Sequence, residues 1–122
     1  MNVLLDSSFI ISCVRGRIDF ISQLQEQGFR IQIPREVLQE MKDLRFKNKT
    51  SREDKLAIDM AMEMIEKNKV KKISMGEGKV DEWLIKKGIE GYYIATLDNV
   101  IKRAVPRKVI IFKAKGMIGV EG

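Results

Sequence analysis

The chain has 122 residues, 44% hydrophobic and 33% charged, the balance of one globular domain over residues 1–122. One cysteine, Cys13, and no histidine exclude a disulfide framework, a Cys-rich zinc site, zinc-protease chemistry and any Ser–His or Cys–His nucleophile. Lys and Arg outnumber Asp and Glu 23 to 17, and a net charge of +6 favours a polyanionic partner, nucleic acid above all.

The N-terminal MNVLLDSSF lacks the basic and long apolar regions of a signal peptide. No apolar run reaches the roughly 20 residues needed to span a bilayer, so the expectation is a cytoplasmic protein with no membrane partner. Val3-Leu4-Leu5 is a short apolar run ending at Asp6, which suits a buried strand. Ser7 to Val14 and Ile18 to Gln27 read as helical, broken at Gly16 and Gly28. Arg30-Ile31-Gln32-Ile33 alternates as a second strand. Pro34 then opens a helix through about Leu44. Arg45 to Arg52 is a basic polar loop, from which Thr50 or Ser51 caps a helix to about Lys67, with Glu53 and Asp54 in its first turn. Val70 to Ile73 reads as a third strand and Gly76-Glu77-Gly78 as a loop. The next helix runs from Val80 to Lys87 and stops at Gly88. Tyr92 to Thr96 is a fourth strand, Asn99 to Val105 a short helix, and Val109 to Phe112 a fifth strand. Strands alternating with helices predict an α/β fold whose mainly parallel, five-stranded sheet is covered on both faces. Ligands of such sheets bind beyond the carboxyl ends of the strands.

Two acids follow predicted strands there: Asp6 after the first and Asp98 after the fourth. Two helical acids join them on a wheel count. Glu40 borders the stripe of Val37, Met41 and Leu44, whereas Glu36 and Asp43 point farther away. Asp81 lines up with Leu84, Ile85 and Gly88, and Glu82 does not. Taken singly, each has an ordinary explanation: Asp6 and Asp98 as helix caps, Asp81 as a first-turn acid, Glu40 as a solvated flank. Taken together, four acids in one cleft repel unless a cation receives them. With no histidine, that cation is a hard, oxygen-liganded ion, Mg²⁺ or Mn²⁺. Beside a basic surface, such a centre suggests phosphodiester hydrolysis.

The same segments resemble the PIN-domain family of small metal-dependent nucleases over nearly the whole chain. VLLDSSFII is similar to its opening strand and Asp-x-Ser element, falling on Asp6 and Ser8. IPREVLQEMKDL places the family's glutamate on Glu40, GEGKVDEWLIKKG its third acid on Asp81, and YYIATLDNVIKRAV its Thr-x-Asp element on Thr96 and Asp98. VIIFKAKGMIGVEG resembles the closing strand and Lys-rich turn of stand-alone archaeal members related to ribosomal-RNA processing endonucleases. Leu97 stands where members often carry Asn, and Gly88 where many carry Ala. The resemblance implies a three-layer α/β/α domain and an Mg²⁺- or Mn²⁺-dependent ribonuclease. Asp6, Asp81 and Asp98 would ligate metal, Glu40 would orient or deprotonate the attacking water, and Ser8 and Thr96 would fix the carboxylates.

A VapC-type toxin shares this chemistry, and a non-catalytic RNA-binding or assembly module shares the basic surface. A P-loop is absent, a receiver domain needs an acidic pair where Asp6 stands alone, and a haloacid-dehalogenase-type phosphatase needs an Asp where Ser8 is. Lys47 and Lys49, in the basic loop after the Glu40 helix, are the expected RNA contacts. In the helix over 53–67, Leu56, Ala57, Met60, Ala61 and Met64 share one face and Ile58, Met62 and Ile65 a second. One face covers the sheet, so the second is expected to bury itself in a homodimer, for which the methionine suits.

Overall fold

A computed structural model describes residues 1–121 of the chain. Strand β1 (Asn2–Leu5) is central. It pairs in parallel with β2 (Arg30–Pro34) on one side and β4 (Tyr93–Ala95) on the other. Parallel pairing continues outward from β2 to β3 (Lys71–Ile73) and from β4 to β5 (Lys108–Phe112). Among the described residues six α-helices connect them: α1 (Ser7–Arg15), α2 (Phe20–Glu26), α3 (Arg35–Arg45), α4 (Arg52–Lys67), α5 (Val80–Ile89) and α6 (Asn99–Ala104). The expected alternation and the mainly parallel sheet are both present.

The five-strand expectation needs correction. Among the described residues the sheet has six strands, in the order β3-β2-β1-β4-β5-β6, because Met117–Glu121 forms β6, antiparallel to β5. A short 3₁₀ turn over Lys113–Lys115 and Gly116 at φ 60° reverse the chain. Gly119 then leaves room for the Phe112 ring, which would lie 2.4 Å from an added Cβ. The outer side of β6 is partly closed by α2. Gln27 Nε2 donates to the Ile118 carbonyl at 2.8 Å, and Gln23 Oε1 accepts from the Ile118 N–H at 2.8 Å. Two glutamines thus occupy the edge groups that would otherwise recruit another strand.

β1 is buried on both sides, as its uninterrupted apolar run requires. Val3 and Leu5 join a large cluster with residues of α1 to α4, whereas Leu4 packs with Leu84, Ile94, Ile101 and Val105 beside α5 and α6. Gly88 belongs to this second side and does not stop α5. The helix runs on to Ile89, and an added Cβ at Gly88 would lie 2.5 Å from Val105 Cγ1. Its small size is a packing requirement, and Gly91, at φ 118°, follows the helix end.

The expected dimer stripe is also corrected. Ile58 and Ile65 are fully buried within the chain and Met62 packs against the same core. The helix α4 touches both α1 and α3. Ala57 and Ala61 permit that close approach, and Arg15 to Glu53 and Asp54 and Arg45 to Asp59 tie the three helices at the surface. Leu56 and Met60, expected against the sheet, are the exposed pair. The face assigned to a homodimer is therefore interior to one chain. Among the described residues no helix is long and apolar enough to cross a membrane.

Candidate functional site

From β1 the chain goes to β2 and β3 on one side of the sheet; from β4 it goes to β5 on the other. Adjacent parallel strands whose connections diverge in this way leave a crevice beyond their carboxyl ends. Asp6 follows β1 directly, and its N–H donates to the Ala95 carbonyl at 2.9 Å, fixing it against the end of β4. Asp98 caps α6 just beyond β4. The third strand element in reach, β2, delivers α3 and with it Glu40, and the loop after β3 delivers α5 and Asp81. Asp6, Glu40, Asp81 and Asp98 line one cleft of about 480 Å³, together with Lys79 and Ile101.

Asp6 is the sheltered member, 7% exposed. One oxygen accepts from the Ser7 N–H at 2.9 Å and the other from the Thr96 hydroxyl at 2.7 Å. Thr96, 1% exposed, also accepts from the Asp98 N–H at 3.1 Å. With Asp6 ionised the Thr96 proton is committed to it, so Ser8 is the donor in the 3.4 Å contact between the two hydroxyls. Ser8 in turn accepts from the Leu97 N–H at 3.1 Å. A directed chain of donors therefore runs from Leu97 through Ser8 and Thr96 to Asp6. Burial nevertheless holds the Asp6 carboxyl above its ordinary value. The hydrogen bonds from Thr96 and Ser7 pull it back in part, while the charges of Glu40 and Asp98 push it further up.

The other three acids are exposed. Glu40 accepts from the Ser7 hydroxyl at 2.7 Å. Asp98 accepts from the N–H groups of Val100 and Ile101 at 2.8 and 3.2 Å, and Asp81 from the Glu82 N–H at 2.9 Å. Asp81 is thus not buried as its alignment with Leu84 suggested. It sits in the first turn of α5 and lines the cleft. Glu36 departs in the opposite sense: half-buried, it accepts from the Met75 N–H at 3.1 Å and pins the loop that leads to Lys79. Ser8 touches no carboxylate and acts on Asp6 through Thr96. Lys47 and Lys49 are exposed in the segment after α3 and do not line the cleft. Buried Cys13, its thiol pushed up to about 12 by burial, is no nucleophile.

Three contributors escaped the sequence reading: Ser7, Glu36 and Lys79. The paired serines after Asp6 were the available signal for Ser7; the other two depend on how a loop folds back.

The donor set is all oxygen, from carboxylates, which is the chemistry Mg²⁺ and Mn²⁺ select. Among the described residues no group of three or more His, Cys, Asp or Glu side chains is arranged to hold a metal ion. Asp81 and Asp98 turn one oxygen each to their own helix N-termini. No family model matches the chain, and no curated protein matches it.

Proposed function

We propose that the chain is a metal-dependent endoribonuclease of the PIN type, with the family's three-layer α/β/α arrangement, acting on RNA in the manner of a processing enzyme. One observation carries this reading: acids from four separate elements line one crevice at the switch point of the sheet, and the most buried of them keeps two hydrogen-bond donors aimed at its charged form.

Asp6, Asp98 and Asp81 are the residues that would hold Mg²⁺ or Mn²⁺; because no three acids are so arranged among the described residues, Asp81 and Asp98 would first have to turn from their own helix N-termini. When bound, the ion supplies positive charge against a phosphoryl group and acidifies water at the site. Thr96 and the Ser7 N–H keep the Asp6 carboxylate in one orientation for that task. Glu40, steadied by the Ser7 hydroxyl, orients water and accepts its proton as the water oxygen bonds to phosphorus. The bond to the leaving ribose oxygen breaks, and that oxygen takes a proton from solvent. The basic surface gathers the polyanionic substrate, and Lys79 is the one basic residue in the lining of the cleft.

Incubation of structured and single-stranded RNA with Mg²⁺, Mn²⁺ or EDTA tests the reading. Internal cleavage that needs the divalent ion supports it. Binding without cleavage in any of the three points to an RNA-binding module on the same fold.

A further inference from the structure

A second pocket, of about 440 Å³, adjoins the carboxylate cleft and shares Gly78 and Lys79 with it. Its wall includes Trp83, the one tryptophan of the chain, with Lys86 and Lys87 on the same helix. The Lys87 ammonium lies 5.6 Å from the centre of the indole and 5.8 Å from that of Tyr92, and donates to Glu90 at 3.3 Å. Trp83 is half-buried, its inner part packed with the smaller core cluster. Glu77 and Glu82 stand on the same wall. The pocket is therefore not a bare phosphate trap. What distinguishes it is a half-buried indole packed on the smaller core cluster, with the Lys87 ammonium over its ring and Lys79 and Lys86 in the same lining.

The loop that borders both pockets is held at one point. Glu36 holds the Met75 N–H, and Gly76 and Gly78 adopt φ of 86° and 103°, a conformation that side chains rarely take. Lys79, at the end of this loop, lines both pockets.

We infer that the Trp83 pocket is a nucleotide subsite that takes an unpaired base of single-stranded RNA against the indole, with neighbouring phosphates at Lys79 and Lys86, and so feeds the strand into the carboxylate cleft. The inference rests on reading that cleft as the site of RNA hydrolysis. Aromatic side chains flanked by cations are how proteins hold single strands without reading sequence. In a duplex the base faces are stacked on one another, out of reach of the indole.

Trp83 is its own reporter. Titration with a ten-nucleotide oligouridylate in EDTA, where metal-dependent hydrolysis is stopped, is expected to quench its fluorescence saturably. The same length of RNA duplex is expected to bind at least ~10-fold more weakly. Lys86→Glu, on an exposed position, is expected to weaken oligouridylate binding ~10-fold with the fold unchanged by circular dichroism, and Trp83→Phe to weaken it less than Trp83→Ala. Binding seen by anisotropy of a labelled oligonucleotide, with no quenching and no effect of Lys86→Glu, overturns the subsite while Mn²⁺-dependent cleavage still upholds the nuclease. Quenching and a Lys86→Glu effect in a protein that cleaves nothing uphold the subsite and overturn the nuclease. No binding by either readout overturns the subsite.

Discussion

Thr96→Val removes one hydroxyl and keeps the side-chain shape, so its effect isolates the hydrogen bonds that Thr96 makes. Thr96 is 1% exposed and serves three partners: it donates to Asp6 at 2.7 Å, accepts from the Asp98 N–H at 3.1 Å, and meets Ser8 at 3.4 Å. A hydrogen bond to a charged group contributes about 1.5–3 kcal/mol, and a neutral one about 0.5–1.5 kcal/mol. The expected loss at pH 7 is therefore about 2–4 kcal/mol, most of it from the bond to the buried carboxylate. The sign of the pH dependence follows from the raised Asp6 carboxyl. A group whose folded pKa exceeds its unfolded value contributes stability below the unfolded value and loses it as pH rises through the folded one. The Thr96 hydroxyl pulls that folded value down, so deleting it extends the loss to higher pH. As pH falls and protonation of Asp6 is favoured, the cost of the variant should shrink toward about 1–2 kcal/mol, the share of the neutral bonds. Urea unfolding of wild type and variant at pH 4 and pH 7 measures both numbers. Equal losses at the two pH values, or a loss below about 0.5 kcal/mol at pH 7, would refute the donor chain into Asp6.

Gly88→Ala gains about 1 kcal/mol of helix propensity, but its Cβ would press on Val105 at 2.5 and 2.8 Å and on Ile94 at 3.1 Å. Overpacking of about 1–3 kcal/mol should exceed the gain and lower the thermal midpoint, and a stabilised variant would contradict the close α5–α6 packing. Ile65→Ala, at a fully buried site, should cost about 2–5 kcal/mol in urea without changing the mass seen by light scattering. A wild-type dimer dissociated by this variant would restore the interface that burial has removed. Lys47→Glu with Lys49→Glu should weaken RNA binding and flatten its salt dependence while leaving Mn²⁺-dependent turnover of bound RNA in place. Unchanged affinity takes this loop out of the interface.

Much of the fold was legible because the period of the apolar residues changes along the chain. Val3-Leu4-Leu5 and Arg30 to Ile33 cannot bury themselves as helices, and the sheet is built from both. The sixth strand was not legible. Gly119 interrupts its pattern, and its partner is supplied by a tight turn and by the Phe112 ring. The dimer stripe failed for a definite reason. A helix lying on a sheet needs one apolar face, but α4 is gripped by α1 and α3 as well, so Ile58 and Ile65 are covered internally. At the site, Asp6 and Asp98 were readable because acids that end adjacent parallel strands must meet. Asp81 shares a row with Leu84, yet it stands in the first turn of α5, exposed in the lining of the cleft, while Leu84 is buried. Glu36 and Glu40 lie one turn apart, but Glu36 is engaged by the Met75 N–H while Glu40 lines the cleft, and no wheel contains that contact.

The carboxylate cleft as the seat of RNA hydrolysis is tested most directly by comparing Asp6→Asn with wild type on a single-stranded RNA in Mn²⁺ and in EDTA. Asn keeps the size of the side chain and removes its charge, and with it the unfavourable burial of that charge. The variant should fold at least as well as wild type in the absence of metal. Wild type should cut internal bonds only with the divalent ion, and Asp6→Asn should be slower by about 100-fold or more while binding the RNA as tightly in EDTA. Cleavage that persists in EDTA, or a folded Asp6→Asn that cuts as fast as wild type, would contradict it.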